Sequence, residues 1–144
     1  MKKEVKAQTI VELLVALGIA SLVIIAIVTA AVTSLANVTF SRKQGEATRL
    51  ARETMEWLRQ ERDQDWNTLF VRSGKIWCLT TLSWSKNGAC AEADKIAGTD
   101  LSREVRLVTI SETVVETTVV VFWVDSKGRH EARLSSRFTD WRSL

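Results

Sequence analysis

The chain has 144 residues, 46% of them hydrophobic and 26% charged, with no proline, no tyrosine and six tryptophans. One domain of ordinary size is expected, and the composition excludes collagen-like, mucin-like and disordered chains, which need Gly/Pro periodicity or few apolar residues. One histidine and two cysteines cannot supply a zinc tetrad of the usual kind, and a net charge of +3 is too weak a field to indicate a nucleic-acid partner.

That charge is concentrated at the start. Lys2, Lys3 and Lys6 against Glu4 supply +2 of the +3, leaving the rest at +1. No charged residue occurs from Leu13 to Ser41, a run of Leu, Ile, Val and Ala. Those 29 residues as an α-helix extend about 43 Å, more than a hydrocarbon core of about 30 Å. A cleaved secretory h-region is usually about 7–15 residues, so the run reads as a membrane span. Ser34-Leu35-Ala36 has the small-x-small form of a signal-peptidase site and keeps a secreted domain starting at Asn37 as an alternative.

Glu12 interrupts the apolar pattern, with Ile10 and Val11 before it and Leu13, Leu14 and Val15 after it. A charge inside a membrane helix costs roughly 2.5–3.5 kcal/mol on insertion scales and marks a functional candidate. The plainer reading places Glu12 at the membrane boundary, merely solvated.

The run Ala7-Gln8-Thr9-Ile10-Val11-Glu12-Leu13-Leu14-Val15-Ala16-Leu17 resembles the N-terminus of type IV prepilins and type II secretion pseudopilins. That family's pattern is glycine, the cleavage point, Phe-Thr-Leu-Ile-Glu, then a long apolar helix. The resemblance implies cleavage by a prepilin peptidase between Ala7 and Gln8, N-methylation of Gln8 and an assembly salt bridge from Glu12. Ala7 stands where glycine is usual and Gln8 where phenylalanine is usual; the second departure bears on methylation. The implied partners are the peptidase, membrane lipid, other pilin or pseudopilin subunits and an inner-membrane assembly platform.

From Ser41 to Trp66 the pattern becomes amphipathic. Ala47, Leu50, Ala51, Thr54, Trp57 and Leu58 recur at three- and four-residue spacing, with Arg49, Arg52, Glu53, Glu56 and Arg59 mainly elsewhere. The spacing predicts one nearly continuous helix from about Gln8 to Asp65, loosened near Gly45, with a core-facing seam. ATRLARETMEWLRQERDQDW is similar to a segment common in bacterial prepilin-like proteins of the minor-pilin type, and the absence of a helix-kinking proline points the same way.

Residues 67–102 are irregular, broken by Gly74, Gly88 and Gly98. Cys78 and Cys90 fall here, outside the cytoplasm if the N-terminus is cytoplasmic. A bond between them would close a 13-residue loop worth about 3 kcal/mol; two unpaired thiols are the alternative. Three strand-like runs follow: 103–110, 114–124 and 129–139. In the last, Arg129, Glu131, Arg133, Ser135 and Arg137 alternate with His130, Ala132, Leu134, Ser136 and Phe138. A loop over residues 125–128 would pair Val124 with Arg129 and set Trp123, Val121 and Val119 beside His130, Ala132 and Leu134.

No serine, cysteine or carboxylate pair has the spacing of a nucleophile or an acid–base dyad, and no phosphate loop or cofactor motif occurs. His130 reads as a packed histidine. Arg129, Arg133 and Arg137, with Trp141 nearby, could touch DNA or an acidic surface, but Glu131 interrupts them and a solvated face is favoured. The expected organisation is a leader (1–7), a transmembrane and assembly half-helix (8–41), an amphipathic half-helix (42–66) and a C-terminal domain (67–144). The fold class is α+β, a long N-terminal helix on a small antiparallel sheet as in pilins. The expected function is that of a minor pilin or pseudopilin, not an enzyme; a non-assembling single-pass membrane protein with an outer binding domain is the alternative.

Overall fold

A computed structural model describes residues 4–142, with side chains from Thr9 onward. The chain divides into two units, Met1–Arg42 and Lys43–Leu144. The fold is α+β. Helix α1 runs Glu4–Gln64 and takes in all of the first unit's described residues. It starts earlier than the sequence suggests, and it continues without a break through Gly45. No proline interrupts it, and one glycine costs only about 1 kcal/mol, which the packing of the following turns offsets.

In the second unit the stem of α1 lies on an antiparallel sheet. Ala47, Leu50, Ala51, Met55 and Leu58 are each at most 5% exposed. They share a core with Val105, Leu107, Val115, Val119, Val121, Trp123 and Phe138 from the sheet. The expected seam is therefore the face that meets the sheet. Trp57 sits only at its margin, partly buried.

Asp65 ends the stem and caps helix α2 (Trp66–Val71), its carboxylate accepting the Asn67 N–H at 3.0 Å. Strands β1 (Ile76–Cys78), β2 (Lys86–Asn87), β3 (Ser102–Ser111), β4 (Val114–Asp125) and β5 (Gly128–Thr139) follow. The sheet order is β2-β1-β3-β4-β5, antiparallel throughout. The three long strands fall where the sequence places them. Helix α2 and the two short strands lie within the stretch that reads as irregular.

The β4–β5 register pairs Val124 with Arg129, Trp123 with His130, Val121 with Ala132 and Val119 with Leu134, as the alternation requires. It also pairs Asp125 with Gly128, shortening the loop to Ser126 and Lys127. Gly128 holds φ 118°, a conformation that L side chains rarely adopt. Cys78 and Cys90 form a disulfide, tying the long loop after β1 to that strand. Trp84 in the same loop packs 4.9 Å from Trp57 and 5.4 Å from Trp77 between ring centroids, and its indole N–H donates to Glu61 at 2.6 Å.

Candidate functional site

Between Ile10 and Phe40 every large apolar side chain of α1 is 45–69% exposed, on all sides of the helix. A helix apolar all round is stable only in a protein core or in a membrane, because water gains nothing by surrounding it. Its length and composition suffice to cross a membrane.

The polar side chains within this surface are largely satisfied by the helix itself. The hydroxyls of Ser21, Thr29, Thr33 and Thr39 donate to the carbonyls of Leu17, Ile25, Thr29 and Leu35 at 2.7–3.1 Å. Such groups enter hydrocarbon at little cost, since no donor is left bare. Glu12 differs. It is exposed and forms no ion pair or hydrogen bond among the described residues. A carboxylate cannot be satisfied by its own helix, whose carbonyls offer it no proton. Glu12 thus requires either water or a cation, and no described residue supplies one. Ala7 and Gln8 lie on the helical backbone of α1, but their side chains fall outside those described, and Lys2 and Lys3 lie outside the described residues altogether.

The second unit carries the remaining candidates. His130 stacks on Trp123, centroids 5.3 Å apart, with its ring Nε2 3.0 Å from Asp125 Oδ1. The Lys127 N–H also donates to Asp125 at 2.7 Å and, with His130, holds its carboxyl below the usual range despite some desolvation. This is a clamp at the end of the strand. Among the described residues no group of His, Cys, Asp and Glu could hold a metal ion.

Arg129, Arg133 and Arg137 do share the outer face of β5, and Glu131 sits among them, 2.8 Å from Arg133 and 3.8 Å from Arg129. Trp141 does not complete this stripe. Its indole N–H lies 3.4 Å from Asp63 Oδ1, at the end of α1, with the Arg142 guanidinium over its ring. The Arg129 guanidinium lies 3.8 Å over the Phe122 ring on the outer face, and Phe122 is only 8% exposed.

Two features were missed in the sequence. Arg103 is buried on the inner face, donating to the Leu79 carbonyl at 3.2 Å and to Thr54 Oγ1 at 3.0 Å. Burial lowers its pKa, against the opposing pull of Glu53. Its parity with Val105 and Leu107 was the available signal. Lys43 pairs with Asp100, bringing together residues 57 apart in sequence; this pairing had no signal. No protein-family model, no curated protein and no solved structure matches the chain.

Proposed function

We propose that this chain is a minor type IV pilin or pseudopilin: a structural subunit made as a membrane-anchored precursor, cut between Ala7 and Gln8, and packed helix to helix into a filament. The observation that carries the reading is Glu12, the one charge in a helix surface that is otherwise apolar from Thr9 to Ser41 and whose hydroxyls largely satisfy themselves.

Cleavage there removes Lys2, Lys3 and Lys6 while leaving the apolar surface whole. It also creates an α-ammonium four residues before Glu12. That group on one subunit can meet the Glu12 carboxylate of another. At about 4 Å and an effective dielectric of about 20, the pair gains about 4 kcal/mol, enough to offset a burial cost of roughly 2.5–3.5 kcal/mol. The pairing favours one axial register over its neighbours, so Glu12 acts in assembly and not in catalysis. Lipid covers the apolar surface before extraction, and neighbouring helices cover it afterwards. The N-terminus is cytoplasmic and the second unit extracytoplasmic, where oxidation of Cys78 and Cys90 is expected.

Intact mass and N-terminal sequencing of the protein from host membranes test the reading. A start at Gln8 is expected, methylated or not. A start at Met1 would instead indicate a fixed anchor, and a start at Asn37 a secreted domain; either would overturn the filament role.

A further inference from the structure

The outer face of the sheet holds a cavity of about 270 Å³ that the filament reading leaves without a task. Its lining combines apolar Ile76 and Val120 with Glu104, Arg106, Arg129 and Arg133. The strand register builds it. Glu104, Val120 and Arg133 form one row across β3, β4 and β5, while Arg106 lies beside Thr118 in the next row.

The charged groups differ in how far they are already satisfied. Arg133 donates to Glu131 at 2.8 Å, and Arg129 rests on the Phe122 ring. Glu104 accepts the Cys90 N–H at 2.9 Å, so it is turned toward the disulfide loop. Arg106 is exposed and has no ion pair or hydrogen bond among the described residues. Counting Arg106, Arg129 and Arg133 against Glu104 and Glu131 leaves +1. That balance suits a monoanion better than a phosphate dianion, since Glu131 already offsets part of the field of Arg129 and Arg133. A guanidinium fork with a free edge matches the two oxygens of a carboxylate, and the apolar floor suits a short carbon body.

We propose that this cavity binds a small organic carboxylate, with Arg106 taking the carboxylate, Arg129 and Arg133 adding field, and Ile76 and Val120 carrying the aliphatic portion. The same chemistry is offered by a free organic acid and by an acidic side chain presented by another polypeptide. The test is titration of the detergent-solubilised full chain, followed by the NMR signals of the arginine Nε–H groups. Three probes are used: sodium butyrate, the blocked tripeptide Gly-Glu-Gly and inorganic phosphate. Butyrate or the tripeptide should shift the Arg106 signal saturably. R106Q should weaken that binding at least about tenfold, and R137Q, on the same face but outside the cavity, should change it less than about twofold. Tighter binding of the tripeptide would identify a protein side chain as the source; tighter binding of butyrate would identify a free acid. Shifts that never saturate, phosphate binding tighter than both carboxylates, or an unaffected R106Q would each overturn the proposal.

Discussion

The buried guanidinium of Arg103 supports a sharp prediction about stability. Its side chain crosses from β3 toward α1, where its acceptors among the described residues are neutral, the Leu79 carbonyl and Thr54 Oγ1. The Thr54 hydroxyl donates in turn to the Leu50 carbonyl at 2.7 Å. Thr54→Val keeps the shape of the side chain but removes that acceptor, leaving a charged donor buried and unsatisfied. Such a loss costs about 1–3 kcal/mol, toward the upper end for a charged group. For a unit of about a hundred residues, about 2 kcal/mol corresponds to a fall in Tm of about 8–16 °C. Arg103→Met should cost less, within about 1 kcal/mol, because the desolvation penalty leaves with the charge and a flexible apolar side chain fills the space. Adding Thr54→Val to Arg103→Met should then cost almost nothing more. Urea unfolding of the full chain in detergent, followed by tryptophan fluorescence, reads the cycle cleanly, since all six tryptophans lie between Trp57 and Trp141. If Thr54→Val costs the same with and without Arg103, or the coupling is below about 0.5 kcal/mol, the claim that Thr54 is there to satisfy the cation is wrong.

Other expectations concern assembly, the disulfide and acid. Glu12→Ala should insert in the membrane as the parent does yet disappear from isolated filaments; normal incorporation, scored by immunoblot of sheared filaments, would sink the ammonium pairing. Cys78→Ser with Cys90→Ser should lower unfolding stability by about 3 kcal/mol, with the parent falling to the same value once a reductant is added. The carboxyls of Asp65 and Asp94 are held below their usual pKa, the first mainly by Thr68 and the second mainly by Lys86. A depressed folded-state pKa contributes stability that is complete above the unfolded value near 3.8 and is lost as pH falls through the folded one. Unfolding midpoints should therefore drop below about pH 4, and Asp65→Asn with Asp94→Asn should flatten that drop. An unchanged acid limb in the double variant would count against these two residues as its source.

The N-terminal half of this protein was legible in its residues because its determinants are local. An uninterrupted apolar run, a lone Glu12 and a three-four periodicity through Leu58 depend on neighbours within a few turns, so helix and seam could be read directly. The same holds for β3, β4 and β5, where the period of two and one short loop set the register that pairs Trp123 with His130. Only the tertiary structure decided the rest. Strands of two and three residues, such as β2 and β1, have too few positions to carry a period; β1 forms on the edge that β3 offers, and β2 on the edge of β1. The disulfide was one of two open readings until the fold brought Cys78 and Cys90 together. Arg103 meeting Thr54, Lys43 meeting Asp100, and three arginines from two strands opening onto one cavity all join residues far apart in sequence. Local pattern says which face a side chain takes; what waits on that face is set by the packing of elements whose order in space no periodicity encodes.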